Sequence, residues 1–168
     1  MHFHQDLLVL ARQMVDRNAA QPIEAELRRA ISTAYYALFH LLTHEGTARI
    51  VAAAHLRSRV ARTFEHKFMN AVCKEFAAMQ PNPAGQHVHP SGVLIPSGVI
   101  TIASEFVTLQ DSRLSADYDT AITWDHFEAE AIVASAELAF GEWQAVQADP
   151  GSDFFLVELW CRGIPKRS

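Results

Sequence analysis

The sequence predicts an all-α protein, an antiparallel up-and-down bundle of four to five helices. Apolar residues recur at helical spacing in several long segments, and turn-forming residues concentrate in one stretch, with four of the seven prolines between residues 80 and 98. A chain of 168 residues, 49% of them hydrophobic, is long enough to bury a core as one domain. We therefore expect a single bundle over residues 1–149. The tail, residues 150–168, is expected to pack on the bundle or on a partner.

The predicted helices differ in how their apolar residues are placed. Their expected ranges are Phe3–Arg17, Ile23–His44, Ala48–Met79, Ser97–Gln110, and Asp125 to the break at residues 149–151. The last of them opens with Asp125 and Glu128 at the spacing of a capping box. The first helix has one apolar stripe that we expect to face the core: Phe3, Leu7, Leu10, Ala11 and Met14. The second has aromatic residues opposite its apolar stripe, which predicts burial on both sides, either as the central helix of the bundle or in a dimer. That apolar stripe consists of Leu27, Ala30, Ile31, Ala34, Leu38 and Leu41. Residues 111–119 are predicted to form a turn, and residues 154–160 a strand, a short helix or an arm.

Composition favours a cytoplasmic protein without metal or cofactor. No apolar run approaches the roughly 18 residues that cross a bilayer, and the first residues lack the features of a secretory signal, so no membrane partner is expected. Cys73 and Cys161 lack the spacing of metal or redox sites and are expected to be free thiols. No Glu-x-x-His pair of the kind used by di-iron bundles occurs, and His87 and His89 lack an obvious carboxylate partner.

Charge is unevenly distributed along the chain, whose formal net charge is −5. Between Pro22 and Lys74 there are eight Lys/Arg and four Glu, whereas Thr101–Asp149 contains ten acidic residues and only Arg113. One interpretation is that the basic segment binds an anion and the acidic segment faces a basic partner. The alternative is that both are solvated helix faces, which complement each other within the fold or a dimer.

Two stretches resemble the HEPN superfamily of helical domains. Residues 27–40 read LRRAISTAYYALFH and residues 113–119 read RLSADYD; with the order of helices, the resemblance covers about Asp6–Trp143. It implies an antiparallel helical bundle, frequent homodimers, and roles in RNA cleavage, nucleotide binding, or toxin–antitoxin and defence systems. The partners it implies are a second copy of the chain, RNA or a nucleotide, and a protein from a neighbouring gene.

The catalytic branches of that superfamily cut RNA without a metal, using Arg, four to six residues, and then His. Here Arg113 is followed after four residues by Tyr118, and tyrosine is a poor general base at neutral pH because its reference pKa is near 10. We therefore expect a non-catalytic domain. The alternative is a metal-independent ribonuclease that uses Arg59 and His66, which a continuous helix would place on one face, with Arg62 adding charge beside His66.

The second helix has a polar and aromatic stripe opposite its apolar face. Arg29, Thr33, Tyr36 and His40 fall within about 60° of one another in helical projection. This stripe would form a binding site if a base stacked on Tyr36 while Arg29 paired with a phosphate. The alternative is a satisfied polar seam at a bundle or dimer interface, with Tyr36 hydrogen-bonded to a neighbour.

The last candidate residues lie in the predicted turn. Arg113 and Asp117 have the spacing of an ion pair at a helix end, and Asp117 and Tyr118 are expected to anchor the turn. The third hypothesis, beside a binding domain and a ribonuclease, is therefore a purely structural dimeric interaction module.

Overall fold

The computed structural model describes residues 2–17 and 19–162, and this part of the chain is helical apart from one short hairpin and the connecting segments. Its α-helices are α1 (Phe3–Arg17), α2 (Glu24–Ile50), α3 (Arg57–Ala61), α4 (His66–Ala77), α5 (Ser97–Tyr118), α6 (His126–Val146) and α7 (Pro150–Cys161). A 3-10 turn, Ala54–Leu56, precedes α3, and β1 (His87–Val88) pairs antiparallel with β2 (Leu94–Ile95). The predicted all-α class is confirmed. Within the described residues, no helix is long and apolar enough to cross a membrane.

The prediction of one helix over Ala48–Met79 is wrong. The segment contains the end of α2, the 3-10 turn, α3 and α4. The chain leaves the helical conformation after α3, where the Thr63 hydroxyl donates to the Val60 carbonyl oxygen at 2.7 Å and Glu65 is extended (φ −107°, ψ 131°). Such local side-chain bonds compete with the helix, and they leave no mark in the apolar spacing.

Two further helices are longer than predicted. α2 runs to Ile50 instead of ending near His44, since Leu42, Thr43 and Thr47 are buried and tertiary packing outweighs local propensity. α5 runs to Tyr118, so the predicted turn over residues 111–119 is helical up to that point. The predicted capping box at the start of α6 is confirmed. The Asp125 side chain accepts from the Glu128 amide at 2.8 Å, and the Glu128 side chain accepts from the Asp125 amide at 3.0 Å.

The chain divides into two compact units. Unit 1 contains Met1–Leu41 and Glu105–Phe140, and unit 2 contains Leu42–Ser104 and Gly141–Ser168. Residues 163–168, which belong to the predicted tail, lie outside the described residues.

Unit 1 consists of α1, the first part of α2, the second part of α5 and the first part of α6. Every residue from 30 to 35 is buried, which confirms that this part of α2 is buried on both sides. Two contacts show that α1 and α6 pack antiparallel in this unit. The ring of His4 packs 6.0 Å from that of Phe140, and Arg12, two turns further along α1, makes an ion pair with Glu137 at 2.6 Å.

The prediction that the apolar stripe of α1 faces the core is wrong in part. Phe3 is 62% exposed and Leu10 is 38% exposed, whereas the buried residues of α1 are His4, Ala11 and Val15. The buried face is rotated by about one residue, roughly 100°, from the face with the largest apolar side chains. Several apolar side chains of α1 therefore remain at the surface.

Unit 2 has its core where α7 packs on α4 and on β2. The rings of Phe76 and Phe155 lie 4.9 Å apart, and both side chains are buried. The Asp149 side chain caps α7 by accepting from the Gly151 amide at 2.7 Å, and Pro150 occupies the first helical turn, where its missing N–H needs no partner. The described part of the predicted tail is therefore mostly a helix with a buried face.

Candidate functional site

In unit 1 the structure brings together four of the residues that the sequence singled out. We call Tyr36, Arg113, Asp117 and Tyr118 the arginine cluster. Arg113 donates from Nη2 to the Tyr36 hydroxyl at 2.9 Å, and its Nε lies 2.8 Å from Asp117 Oδ2. The guanidinium carbon lies 5.5 Å from the ring centroid of Tyr36 and 5.5 Å from that of Tyr118. Ser32 completes the arrangement by donating to Asp117 Oδ2 at 3.2 Å.

The electrostatics of the arginine cluster keep Arg113 charged. Burial by itself lowers the pKa of Arg113, but Tyr36, Asp117 and Tyr118 act in the opposite direction and raise the pKa above its ordinary value. The cation is thus held by a carboxylate, a phenol oxygen and two aromatic faces. No histidine belongs to the cluster. The arrangement is suited to fastening α5 to α2, because its carboxylate, Asp117, is already in contact with Arg113 and Ser32.

The other residues of the α2 stripe are placed differently. His40 is half-buried, with its ring 5.0 Å from that of Phe3 and 6.4 Å from that of Tyr36, and desolvation lowers its pKa. The buried Thr33 donates to the Arg29 carbonyl oxygen at 2.7 Å within the helix. Arg29 is exposed, and among the described residues its guanidinium has no hydrogen bond or ion pair. The structure thus joins His40 and Tyr36 but does not join Arg29 to the arginine cluster.

Arg28 is a functional-site residue that sequence analysis missed. Its Nη1 donates to the carbonyl oxygens of Ala116 at 2.9 Å and Asp119 at 3.0 Å, and its Nη2 donates to that of Ile122. Its Nε and Nη2 also contact Glu24 at 3.0 and 2.8 Å. Because the last carbonyls of a helix have no partner within the helix, one arginine on α2 satisfies the end of α5 and fixes the turn that follows it. The Glu24–Arg28 spacing was visible in the sequence; the carbonyl acceptors were not.

A cleft opens beside Arg28 in unit 1. Its volume is about 380 Å³, and it is lined by Glu24, Ala25, Arg28, Ala116, Asp117 and Thr120. Exposed large apolar side chains occur near its lining residues in the sequence, at Ile23, Leu114, Tyr118, Ile122 and Phe127. The cleft and these apolar residues are open to a ligand.

In unit 2 the candidate catalytic pair does not share a helix. Arg59 lies in α3, Arg62 caps its end, and His66 is the first residue of α4. The prediction that a continuous helix places Arg59 and His66 on one face is therefore wrong, because the segment from Thr63 to Glu65 separates the two helices. All three side chains are exposed.

Four exposed cationic side chains lie on α3, at its end and on α4. We call Arg59, Arg62, Lys67 and Lys74 the α3–α4 basic surface. In the part of the chain that the structure describes, the guanidinium groups of Arg59 and Arg62 make no hydrogen bond or ion pair. Lys67 lies 3.4 Å from Glu65 and 4.5 Å above the ring of Phe68. These cations are therefore open to an external anion.

Two other arginines of unit 2 have structural contacts. Arg49 contacts Glu45 at 2.7 Å and also Asp153, and Arg57 donates to the Val51 carbonyl oxygen at 3.0 Å. The segment that carries the basic surface is held in place by α7, since the Trp160 indole donates to the Thr63 hydroxyl at 3.0 Å.

Among residues 2–17 and 19–162, no group of three or more His, Cys, Asp or Glu side chains could hold a metal ion. His89 stacks on Phe76 at 5.6 Å between ring centroids, and its Nδ1 lies 2.8 Å from the Ser91 hydroxyl. Comparisons with family models, with curated proteins and with solved structures found no match to this chain. The resemblance to HEPN domains therefore depends on residues 27–40 and 113–119 and on the helix order.

Proposed function

We propose that the chain is a HEPN-like, non-catalytic domain that binds RNA on the α3–α4 basic surface, in a toxin–antitoxin or defence context. The observation that carries the proposal is the pair of exposed arginines, Arg59 and Arg62, which have no partner within the described residues. Arg49–Lys74 contains six Lys/Arg and a single Glu. Arginine binds phosphate through parallel N–H donors, and neutralised phosphates release counterions, which drives binding.

The charge of unit 1 supports placing RNA on unit 2. Unit 1 contains twelve Asp/Glu and five Lys/Arg, so a phosphate backbone would be repelled there. Arg113, the cation that the HEPN resemblance would bring to a substrate, already contacts Asp117 and Tyr36. The same contacts support a domain without catalysis, because an RNA phosphate would have to displace them.

The proposal includes a homodimer. Its support is α1, whose exposed Phe3, Val9 and Leu10 lie on a helix with two acidic and two basic residues. Because this surface is apolar and has no net charge, it is better suited to self-association than the rest of unit 1, where acidic residues would repel each other. Light scattering at micromolar concentration is expected to give the mass of two chains, and Leu10→Lys is expected to reduce it to one. A monomeric wild-type mass would contradict the homodimer and leave the RNA site untouched.

RNA binding is tested by the salt dependence of fluorescence anisotropy with a labelled single-stranded RNA. Each phosphate contact with a single strand contributes about 0.7 to the slope of log K against log salt. Arg59→Gln and Arg62→Gln are each expected to lower the slope by about 0.7, and the double variant by about 1.4. Arg17→Gln is the matched control, since Arg17 is exposed and has no side-chain partner within the described residues.

Two outcomes would contradict the proposal. One is the absence of binding at about 50 mM salt, where phosphate contacts are strongest. The other is an equal loss of slope in Arg17→Gln and in the two variants of the basic surface. The same samples, kept in chelator, also test catalysis. Intact RNA is expected, whereas cleavage that His66→Ala abolishes would favour the ribonuclease alternative.

A further inference from the structure

We propose that the end of α5 and the turn into α6 form a docking surface for a basic, apolar-bearing segment of a partner protein. We call Leu114, Tyr118, Ile122 and Phe127 the α5–α6 surface; all belong to unit 1. The inference does not rest on RNA binding, which involves residues of unit 2.

The α5–α6 surface exposes two large aromatic side chains within ten residues of sequence. Tyr118 is 71% exposed and Phe127 is 77% exposed, and both Leu114 and Ile122 are also exposed. Leu114 and Tyr118 are one turn apart on α5 and so share a face. Exposed aromatic residues provide most of the binding free energy at many protein interfaces, because they bury a large area with little loss of side-chain entropy.

The backbone that carries these side chains is held in one conformation. Arg28 donates to the carbonyl oxygens of Ala116, Asp119 and Ile122. Within the turn, Asp119 Oδ1 accepts from the Ala121 amide at 2.9 Å, and the reciprocal capping bonds described above begin α6. A surface that is already ordered loses little conformational entropy on binding. The exposed aromatic residues at the two ends of such a turn are therefore suited to a partner.

Charge identifies the chemistry of that partner. Residues 114–128 contain four acidic residues, Asp117, Asp119, Asp125 and Glu128, and no Lys or Arg. The adjacent cleft of about 380 Å³ is lined by Arg28 as well as by Glu24 and Asp117, and arginines already pair with both carboxylates there. The remaining acidic residues of the segment, Asp119, Asp125 and Glu128, are exposed. Lys or Arg side chains complement these acidic residues, whereas the same residues would repel an RNA backbone. The exposed apolar and acidic residues of this segment together fit an amphipathic basic segment, with apolar residues against Tyr118 and Phe127 and cations beside the exposed carboxylates.

The test uses synthetic peptides as probes and the full chain as receptor. The first probe is a labelled amphipathic peptide of about 14 residues that contains only Lys and Leu at helical spacing. The second replaces every Lys by Glu, and the third keeps the Lys residues but replaces Leu by Ser. The first is expected to bind saturably, the second not to bind, and the third to bind at least about tenfold more weakly.

Variants then locate the binding. Tyr118→Ser combined with Phe127→Ser is expected to weaken binding of the first peptide by about tenfold or more, because two aromatic contacts are lost. Leu138→Ser is the matched control, since Leu138 is a similarly exposed apolar residue of unit 1, and it is expected to leave the affinity unchanged. Circular dichroism and thermal unfolding establish that both variants remain folded, which is expected because the replaced side chains are exposed.

Other results would overturn the proposal. No saturable binding of the first peptide, equal binding of the Lys/Ser peptide, or an equal loss in Leu138→Ser would each exclude an apolar and acidic docking surface. Binding of a labelled RNA to the wild type that is lost in the Tyr118/Phe127 variant would assign the surface to nucleic acid. A change in mass by light scattering in the Tyr118/Phe127 variant would show that its occupant is a second copy of this chain.

Discussion

Replacement of Arg28 by alanine tests whether one side chain fastens α5 and the following turn to α2. The change removes three bonds to backbone carbonyl oxygens and the ion pair with Glu24. Ala116 is buried, so its carbonyl oxygen loses a charged donor where water has little access; such a bond contributes about 1.5–3 kcal/mol. The turn carbonyls of Asp119 and Ile122 can be solvated again, and each contributes about 0.5 kcal/mol. We expect Arg28→Ala to lower the free energy of unfolding by about 2–4 kcal/mol.

Urea denaturation of Arg28→Ala and two companion variants measures this effect. Glu24→Gln removes only the exposed i,i+4 ion pair and is expected to change the free energy of unfolding by at most about 0.5 kcal/mol. Arg28→Lys keeps the charge but cannot reach three carbonyls at once, so an intermediate loss of about 1–2 kcal/mol is expected. The reasoning would be refuted if Arg28→Ala stayed within about 0.5 kcal/mol of the wild type, or if Arg28→Lys were as stable as the wild type.

Three further outcomes follow from contacts described above. Gly151→Ala places a Cβ against the Leu94 carbonyl oxygen and 2.7 Å from a Pro96 ring carbon, so thermal unfolding is expected to reveal a loss of about 1–3 kcal/mol. Gly141→Ala is its control, because no atom beyond its own helix backbone and chain neighbours lies within 4 Å of a Cβ placed there. Phe155→Ala is expected to cost about 3–5 kcal/mol in urea, and a loss below about 1 kcal/mol would contradict its place in the core. For His40, desolvation lowers the pKa in the folded state, so the unfolded state binds more protons. The free energy of unfolding is therefore expected to fall as the pH drops below about 6.5. His40→Gln is expected to make that fall less steep, and an unchanged pH profile of stability would contradict the reasoning.

Local signals in the sequence predicted much of the fold. The bounds of α1 match the prediction, the capping box at Asp125 and Glu128 is present, and the apolar stripe of α2 is buried. Each depends on residues within two turns of one another. The buried face of α1 was predicted less well, because it depends on which neighbours the helix meets, and there the small Ala11 and a ring contact of His4 replace the larger side chains.

The interruption between α3 and α4 shows the limit of apolar spacing. No proline or glycine occurs between Ile50 and Met79, so nothing in the composition indicates a break. At the break, the Thr63 hydroxyl donates to a backbone oxygen and accepts from the Trp160 indole almost a hundred residues away, a contact that local spacing does not record.

The candidate sites divide in the same way. The Arg113–Asp117 ion pair could be predicted from its spacing, and it is present. The contact of Arg113 with Tyr36 joins residues 77 positions apart, and the bonds of Arg28 end on carbonyl oxygens that every residue type carries. Sequence patterns therefore identified candidate site residues and their contacts within one helix, but not the contacts between residues far apart in the sequence.

The packing of α7 on α4 has a consequence for how the chain is synthesised. Phe76, on the apolar face of α4, packs against Phe155 of α7, a helix that the ribosome completes about 80 residues later. At about 5–20 residues per second, that face remains without its partner for about 4–16 seconds. During this interval the nascent chain exposes the apolar surface of α4. Slow translation or pausing between α4 and α7 is therefore expected to increase aggregation and dependence on chaperones.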